Sequence, residues 1–179
     1  MGVLASLFRR DPRRATVDAA YARIVARARE PAFYTGWGVP DTVDGRFELL
    51  ALHAFLVLHR LRGQGDAASD FAQALFDTLF ADMDRGLREM GVGDLGVGRH
   101  VKDMAKAFYG RITVYERGLV DDKALVAGLG RNLFGTVAPT EPLLASAADY
   151  LKRQVAALHA QPLTRLLAGE VDFAPMADG

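Results

Sequence analysis

The chain contains no cysteine. That excludes disulfides, thiol nucleophiles, thiolate zinc sites and iron–sulfur ligation from its own residues, and it fits a reducing compartment. No charge of one sign is in excess, because 22 Lys+Arg balance 22 Asp+Glu. A neutral chain lacks the overall positive field of a general nucleic-acid binder, so no nucleic-acid specificity is expected. Lysine is scarce, with four residues against eighteen arginines, and Ala and Gly are abundant, which points to a GC-rich bacterial gene. No apolar run approaches the roughly 20 residues of a membrane span. No stretch alternates apolar and polar residues for long enough to read as a strand, and there is neither an internal repeat nor a low-complexity linker.

What is present is a helical period. The 179 residues, half apolar and a quarter charged, suit one globular domain with a closed core. Val17, Tyr21, Ile24, Val25 and Ala28 recur at three- and four-residue steps, predicting a helix over 16–29 with Thr16 as its cap and Pro31 as its stop. Residues 31–45 read as a loop punctuated by proline, glycine and aspartate, yet rich in aromatics. An apolar helix over about 45–62, capped by Asp44, presents Phe47, Leu50, Ala51, Phe55 and Leu58 inward. A third helix covers about 67–90, with Gly86 inside it marking a close contact or a bend. A glycine joint spans 91–98, and helices follow at about 98–119, 121–134, 140–160 and 162–168. The fold class expected is all-α, a single-domain irregular bundle of about six to seven helices. It comprises an N-terminal basic and apolar segment (1–15), a helical domain (16–168) and an acidic, loose C-terminal tail (169–179).

The N-terminal segment places Val3, Leu4, Leu7 and Phe8 before Arg9 and Arg10. This order is the reverse of a secretory signal. Apolar burial and basic charge together suit a foot on an anionic membrane surface, with a frayed terminus as the alternative. Met1-Gly2 with Ser6 also matches a myristoylation pattern, which a bacterial gene would not use.

Signals for catalysis are weak. His53 and His59 lie six apart without the spacing of a zincin pair, and His53 sits in an apolar run as a hydrogen-bonded interior residue. Asp82, Asp84, Glu89 and Asp94 form an acidic cluster that could bind a divalent cation. Arg85 and Arg88 interleave with it, so Asp84–Arg88 and Arg85–Glu89 ion pairs at helical spacing are the better reading. Gly91, Gly93 and Gly96 spell a dinucleotide fingerprint, but a helix precedes it where a strand is required. No serine lies in a nucleophile elbow. No metal, cofactor or catalytic residue is assigned.

Two long segments carry a family signature. They include Phe33-Tyr34, Val39-Pro40-Asp41-Thr42, Asp44-Gly45-Arg46-Phe47, Leu52-His53 and Arg60-Leu61. In the second are Asp82-Met83-Asp84, Leu87-Arg88-Glu89-Met90-Gly91-Val92-Gly93-Asp94 and Phe108-Tyr109-Gly110-Arg111. Over about residues 17–119 the chain resembles the ubiquinol–cytochrome c chaperone family, in a shorter bacterial form without a transit peptide. The resemblance implies an α-helical, non-enzymatic assembly factor for the ubiquinol-oxidising respiratory complex. Its client would be newly made cytochrome b, with the ribosome or an anionic membrane surface as further partners. It would work in the cytoplasm or on the cytoplasmic face of the inner membrane. A chaperone for apolar helices needs an apolar patch with a polar rim. The candidate client-binding residues are the aromatics Phe33, Tyr34 and Trp37, with core packing as their alternative. To these are added the charged Asp41, Asp44, Arg46, Asp82, Asp84, Arg88, Glu89 and Asp94, which either face the client or tie the two loops together. Other readings are a metal-dependent enzyme using the Asp82–Asp94 cluster and a peripheral membrane scaffold.

Overall fold

A computed structural model describes residues 12–135 and 137–176. Eight helices follow one another among them: α1 (Pro12–Ala28), α2 (Pro31–Thr35), α3 (Val43–Leu61), α4 (Asp66–Glu89), α5 (Asp94–Gly118), α6 (Asp122–Leu133), α7 (Glu141–Ala160) and α8 (Leu163–Leu167). No strand is present among the described residues. The architecture is the all-α bundle expected, with one helix more than the periodicity indicated.

The bundle is built around α3, which packs against α1, α4, α5, α6 and α7. This position explains its sequence. Ala51 and Phe55 are buried as their spacing indicates, but so are Leu49, Leu52, His53, Leu56 and Val57 on the other sides, whereas Phe47, Leu50 and Leu58 are only partly covered. A helix with neighbours on most sides has no single inward stripe.

Local chemistry sets the ends. Helix α1 begins at Pro12, a residue pre-organised for a first turn, so Thr16 lies inside the helix and bonds the Arg13 carbonyl at 2.9 Å instead of capping. Pro31 does more than stop α1, since it opens α2 as its first residue. Thr42, rather than Asp44, caps α3 by accepting from the Gly45 amide at 3.2 Å. A β-carbon on Gly45 would fall 1.9 Å from the Pro40 carbonyl oxygen, so only glycine lets the loop close there. Asp121 caps α6 through the Ala124 amide at 3.1 Å. The glycine joint is shorter than expected. Gly91 alone takes a left-handed angle (φ 83°), while Gly96 and Gly98 lie within α5.

The C-terminal residues, expected to be loose, are packed as far as Met176. Val171 is buried, and Phe173 stacks edge-on to His53 with ring centres 5.3 Å apart. Two buried glutamines hold the strand-like backbone. Gln154 donates to the Ala174 carbonyl (2.7 Å) and accepts from its amide (2.8 Å), and Gln161 accepts from the Asp172 amide (3.1 Å). Arg23 and Arg165 then pair with Asp172 at 3.1 and 3.0 Å. Asp172 thus meets basic partners on α1 and α8, and Glu170 pairs with Arg165.

Candidate functional site: an apolar groove between four helices

Helices α1, α3, α4 and α5 leave an apolar groove of about 190 Å³ between them. Helix α3 supplies Val43, Phe47 and Leu50, α4 supplies Met83, Gly86 and Leu87, and Met90 caps the end of α4. Met104 of α5, Val25 and Ala28 of α1 and Tyr34 of α2 complete the wall, with Arg29, Arg46 and Asp82 also lining it. Val43 and Met90, both lining the groove, are 57% and 58% exposed, so its apolar wall reaches the surface. Methionines are unbranched and polarisable, and they adapt to varied partners. Gly86 marks no close contact, because a β-carbon there would meet nothing within 4 Å. Its missing side chain is part of the groove's open space. The volume is below the roughly 300–1,000 Å³ of typical small-molecule sites. It suits one or two side chains of a docked apolar segment rather than a bulky cofactor.

The aromatic loop lies behind the groove rather than on the surface. Phe33 is wholly buried and Trp37 nearly so, which corrects the expectation that both present a binding face. They meet edge-to-face at 5.3 Å, and each also packs on Tyr150 of α7, at 5.5 and 5.3 Å. Tyr34 is half-buried and donates to the Ala28 carbonyl at 3.2 Å. Burial and the nearby Asp41 raise its pKa.

These rings enclose a directed hydrogen-bond chain. His53 Nδ1 lies 2.7 Å from the Leu49 carbonyl, which can only accept, so Nδ1 carries the proton. Nε2 therefore accepts from the Tyr150 hydroxyl (2.8 Å), whose oxygen accepts from Arg27 Nε (3.0 Å). Arg27 is held in turn by Glu30 at 2.8 Å and by the Ala174 carbonyl. Burial drives the His53 pKa down to about 3, so the ring is neutral. It is the interior histidine its sequence context suggested.

The charged candidates separate into local groups. Asp41 and Arg46 pair at 2.6 Å across the entrance to α3, and Asp44 is exposed in the first turn. The hydrogen bond from Arg46 lowers the Asp41 pKa. Arg88 bridges Asp84 (2.7 Å) and Asp94, joining the end of α4 to the start of α5 at the surface. Arg85 pairs with Asp82 (3.6 Å) rather than with Glu89, which is exposed. Asp82 also accepts from the Tyr21 hydroxyl at 2.8 Å. These groups do not tie the first loop to the second. The two segments are joined instead through their helices by Glu48 and Arg111, a pair that the sequence did not single out. Arg111 Nε donates to both Glu48 oxygens at 3.1 Å, linking α3 to α5. Burial raises the Glu48 pKa, against the opposing pull of Arg111. No three His, Asp or Glu side chains among the described residues gather as a metal-ligand set.

Of the sequence candidates, Tyr34, Arg46 and Asp82 line the groove. Its apolar wall was missed, although Met83, Met90 and Met104 were legible as soft residues near the two signature segments. Val3, Leu4, Leu7, Phe8, Arg9 and Arg10 lie outside the described residues. No helix among the described residues is long and apolar enough to cross a membrane.

Fold and groove together define an all-helical bundle with an open apolar groove between its helices. The sequence matches the family model described as ubiquinol-cytochrome C chaperone over residues 35–173, and the chain belongs to that family. It is 26% identical over 162 residues to ubiquinol-cytochrome-c reductase complex assembly factor 1 of Xenopus laevis, covering 88% of this chain and 80% of that protein. The Homo sapiens protein of the same description is 25% identical, and there the match spans 54% of its length. The crystal structure of the Cbp3 homolog from Brucella abortus superposes with a TM-score of 0.84 at 37% identity, covering 97% of this chain and 98% of that one.

Proposed function

We propose that this protein is an assembly factor for the ubiquinol–cytochrome c reductase complex, and that its groove shelters an apolar segment of newly made cytochrome b. The observation that carries this reading is the origin of the groove. Its wall comes largely from the two segments that hold the family signature, Tyr34–Leu50 and Asp82–Met104. Both share one binding surface with exposed apolar side chains at its mouth and Arg46 and Asp82 among its lining residues. Such a surface suits holding and releasing an apolar segment. A bacterial protein of this kind would act at the cytoplasmic face of the inner membrane, where a client emerging from the ribosome first meets it.

The test is a photo-crosslinking residue placed at Met90 or Val43 in cells, with mass spectrometry of the adducts. Crosslinks to cytochrome b are expected. Gly86→Phe fills the groove from an uncrowded position and should abolish them while leaving the thermal midpoint within a few degrees. Loss of the gene should lower assembled reductase and cytochrome b. Unchanged levels of both, or adducts with other proteins only, would refute the proposal.

A further inference from the structure

The zero net charge of the chain conceals two helices of opposite character. Helix α4 carries six carboxylates against two arginines, whereas the adjacent α5 carries five cations against three carboxylates. The anions of α5 are largely occupied. Glu116 pairs with His59 and Arg62, and Asp94 with Arg88, while the one occupied cation is Arg111, held by Glu48. Arg99, Lys102, Lys106 and Arg117 remain, all exposed and none in an ion pair among the described residues.

Helical geometry puts these four together. The inward line of α5 runs through Val97, Phe108 and Tyr115, all fully buried. At about 100° per residue the four cations fall on the opposite side, with Asp103 the only anion among them. They form a straight basic ridge about 27 Å long at 1.5 Å per residue. Tyr109 stands on its shoulder, 57% exposed, with its ring 5.5 Å from Phe76. Tyrosine in this half-wet position is typical of a membrane–water interface.

We propose that the outward ridge of α5 rests on anionic phospholipid headgroups. Charge complementarity selects an anionic partner, and shape selects its kind. Single-stranded nucleic acids are held in basic grooves with stacking platforms, whereas this ridge is convex and lines neither the apolar groove nor the wider cleft between α1 and α4. A straight convex line of cations matches an extended charged surface. The inference stands apart from the groove's client, since none of the four cations touches that site.

Vesicle co-flotation of the full chain tests it, using phosphatidylcholine vesicles with and without about one-third phosphatidylglycerol at 0.1 M salt, where the Debye length is about 10 Å. Binding to the anionic vesicles only is expected. Each cation removed should weaken it roughly five-fold, so Arg99→Gln/Lys102→Gln/Lys106→Gln/Arg117→Gln should lose about a hundred-fold or more. Lys106→Gln alone should lose about five-fold, and Arg153→Gln on exposed α7 surface less than two-fold. All four positions are exposed, so circular dichroism and the thermal midpoint should be unchanged. Equal flotation of the wild type and the fourfold variant, equal binding to neutral vesicles, or tighter binding to a uridine 20-mer than to anionic vesicles would each overturn the proposal.

Discussion

The neutral state of His53 makes stability depend on pH in a way that can be worked out beforehand. In the unfolded chain the ring titrates near 6.5, and in the fold its pKa is about 3. A group whose folded pKa is depressed contributes fully above its unfolded pKa. That contribution is lost as pH falls, because the unfolded chain binds a proton that the fold refuses. Between pH 7 and pH 5 the loss is about 2 kcal/mol, and its limiting slope is about 1.4 kcal/mol per pH unit. Burial of the ring is the main cause of the refusal, and the hydrogen-bond geometry agrees with it. A proton on Nε2 would face the Tyr150 hydroxyl, which would have to turn its own hydrogen toward the Arg27 guanidinium. The assay is urea denaturation at half-unit steps from pH 8 to pH 5 for the wild type and for His53→Gln, whose amide oxygen can still accept from Tyr150. Other groups titrate in both proteins, so the difference between the two curves isolates His53. It should be flat above pH 7 and fall by about 2 kcal/mol by pH 5. Parallel curves, or a difference that falls by less than about 0.5 kcal/mol over that range, would refute the reasoning.

Other residues give sharper contrasts. Trp37→Ala should cost about 3–5 kcal/mol in denaturation, because the indole fills a packed site against Phe33 and Tyr150. Arg88→Ala should leave the urea midpoint unchanged, since Arg88 and its partners are exposed and solvent screens the pairs. Gln154→Leu should release the tail, visible as faster amide exchange at Ala174 and a destabilisation of about 1–3 kcal/mol from the unpaired backbone groups.

Legibility in the sequence followed the range of the forces involved. Helix α1 was readable because its apolar stripe faces one way. The end of α3 was readable because Gly63 and Gly65 both adopt positive φ angles. Helix α2 was missed because Pro31 signals a stop and a first turn equally well. The place of Trp37 could not be read locally, since its burial depends on Tyr150, more than a hundred residues away. The groove was hidden for a related reason. It belongs to no single element, and Gly86 contributes by the side chain it lacks. The local ion pair Asp84–Arg88 was correctly anticipated from spacing, whereas Glu48–Arg111 required knowing that α3 and α5 cross.

The clamp formed by Gln154 and Gln161 gives synthesis a closing order. Arg23 of α1 pairs with Asp172, and Arg27, besides Glu30 and Tyr150, donates to the Ala174 carbonyl, so α1 gains these contacts only from residues 172 and 174. Until those emerge from the ribosome, α1 lacks its last fastening and the polar interior around His53 lies open on one side. Residues so distant in sequence meet late in folding, because a long loop must be closed before their contacts count. The helical bundle would therefore be completed only when residues 171–176 are laid in place.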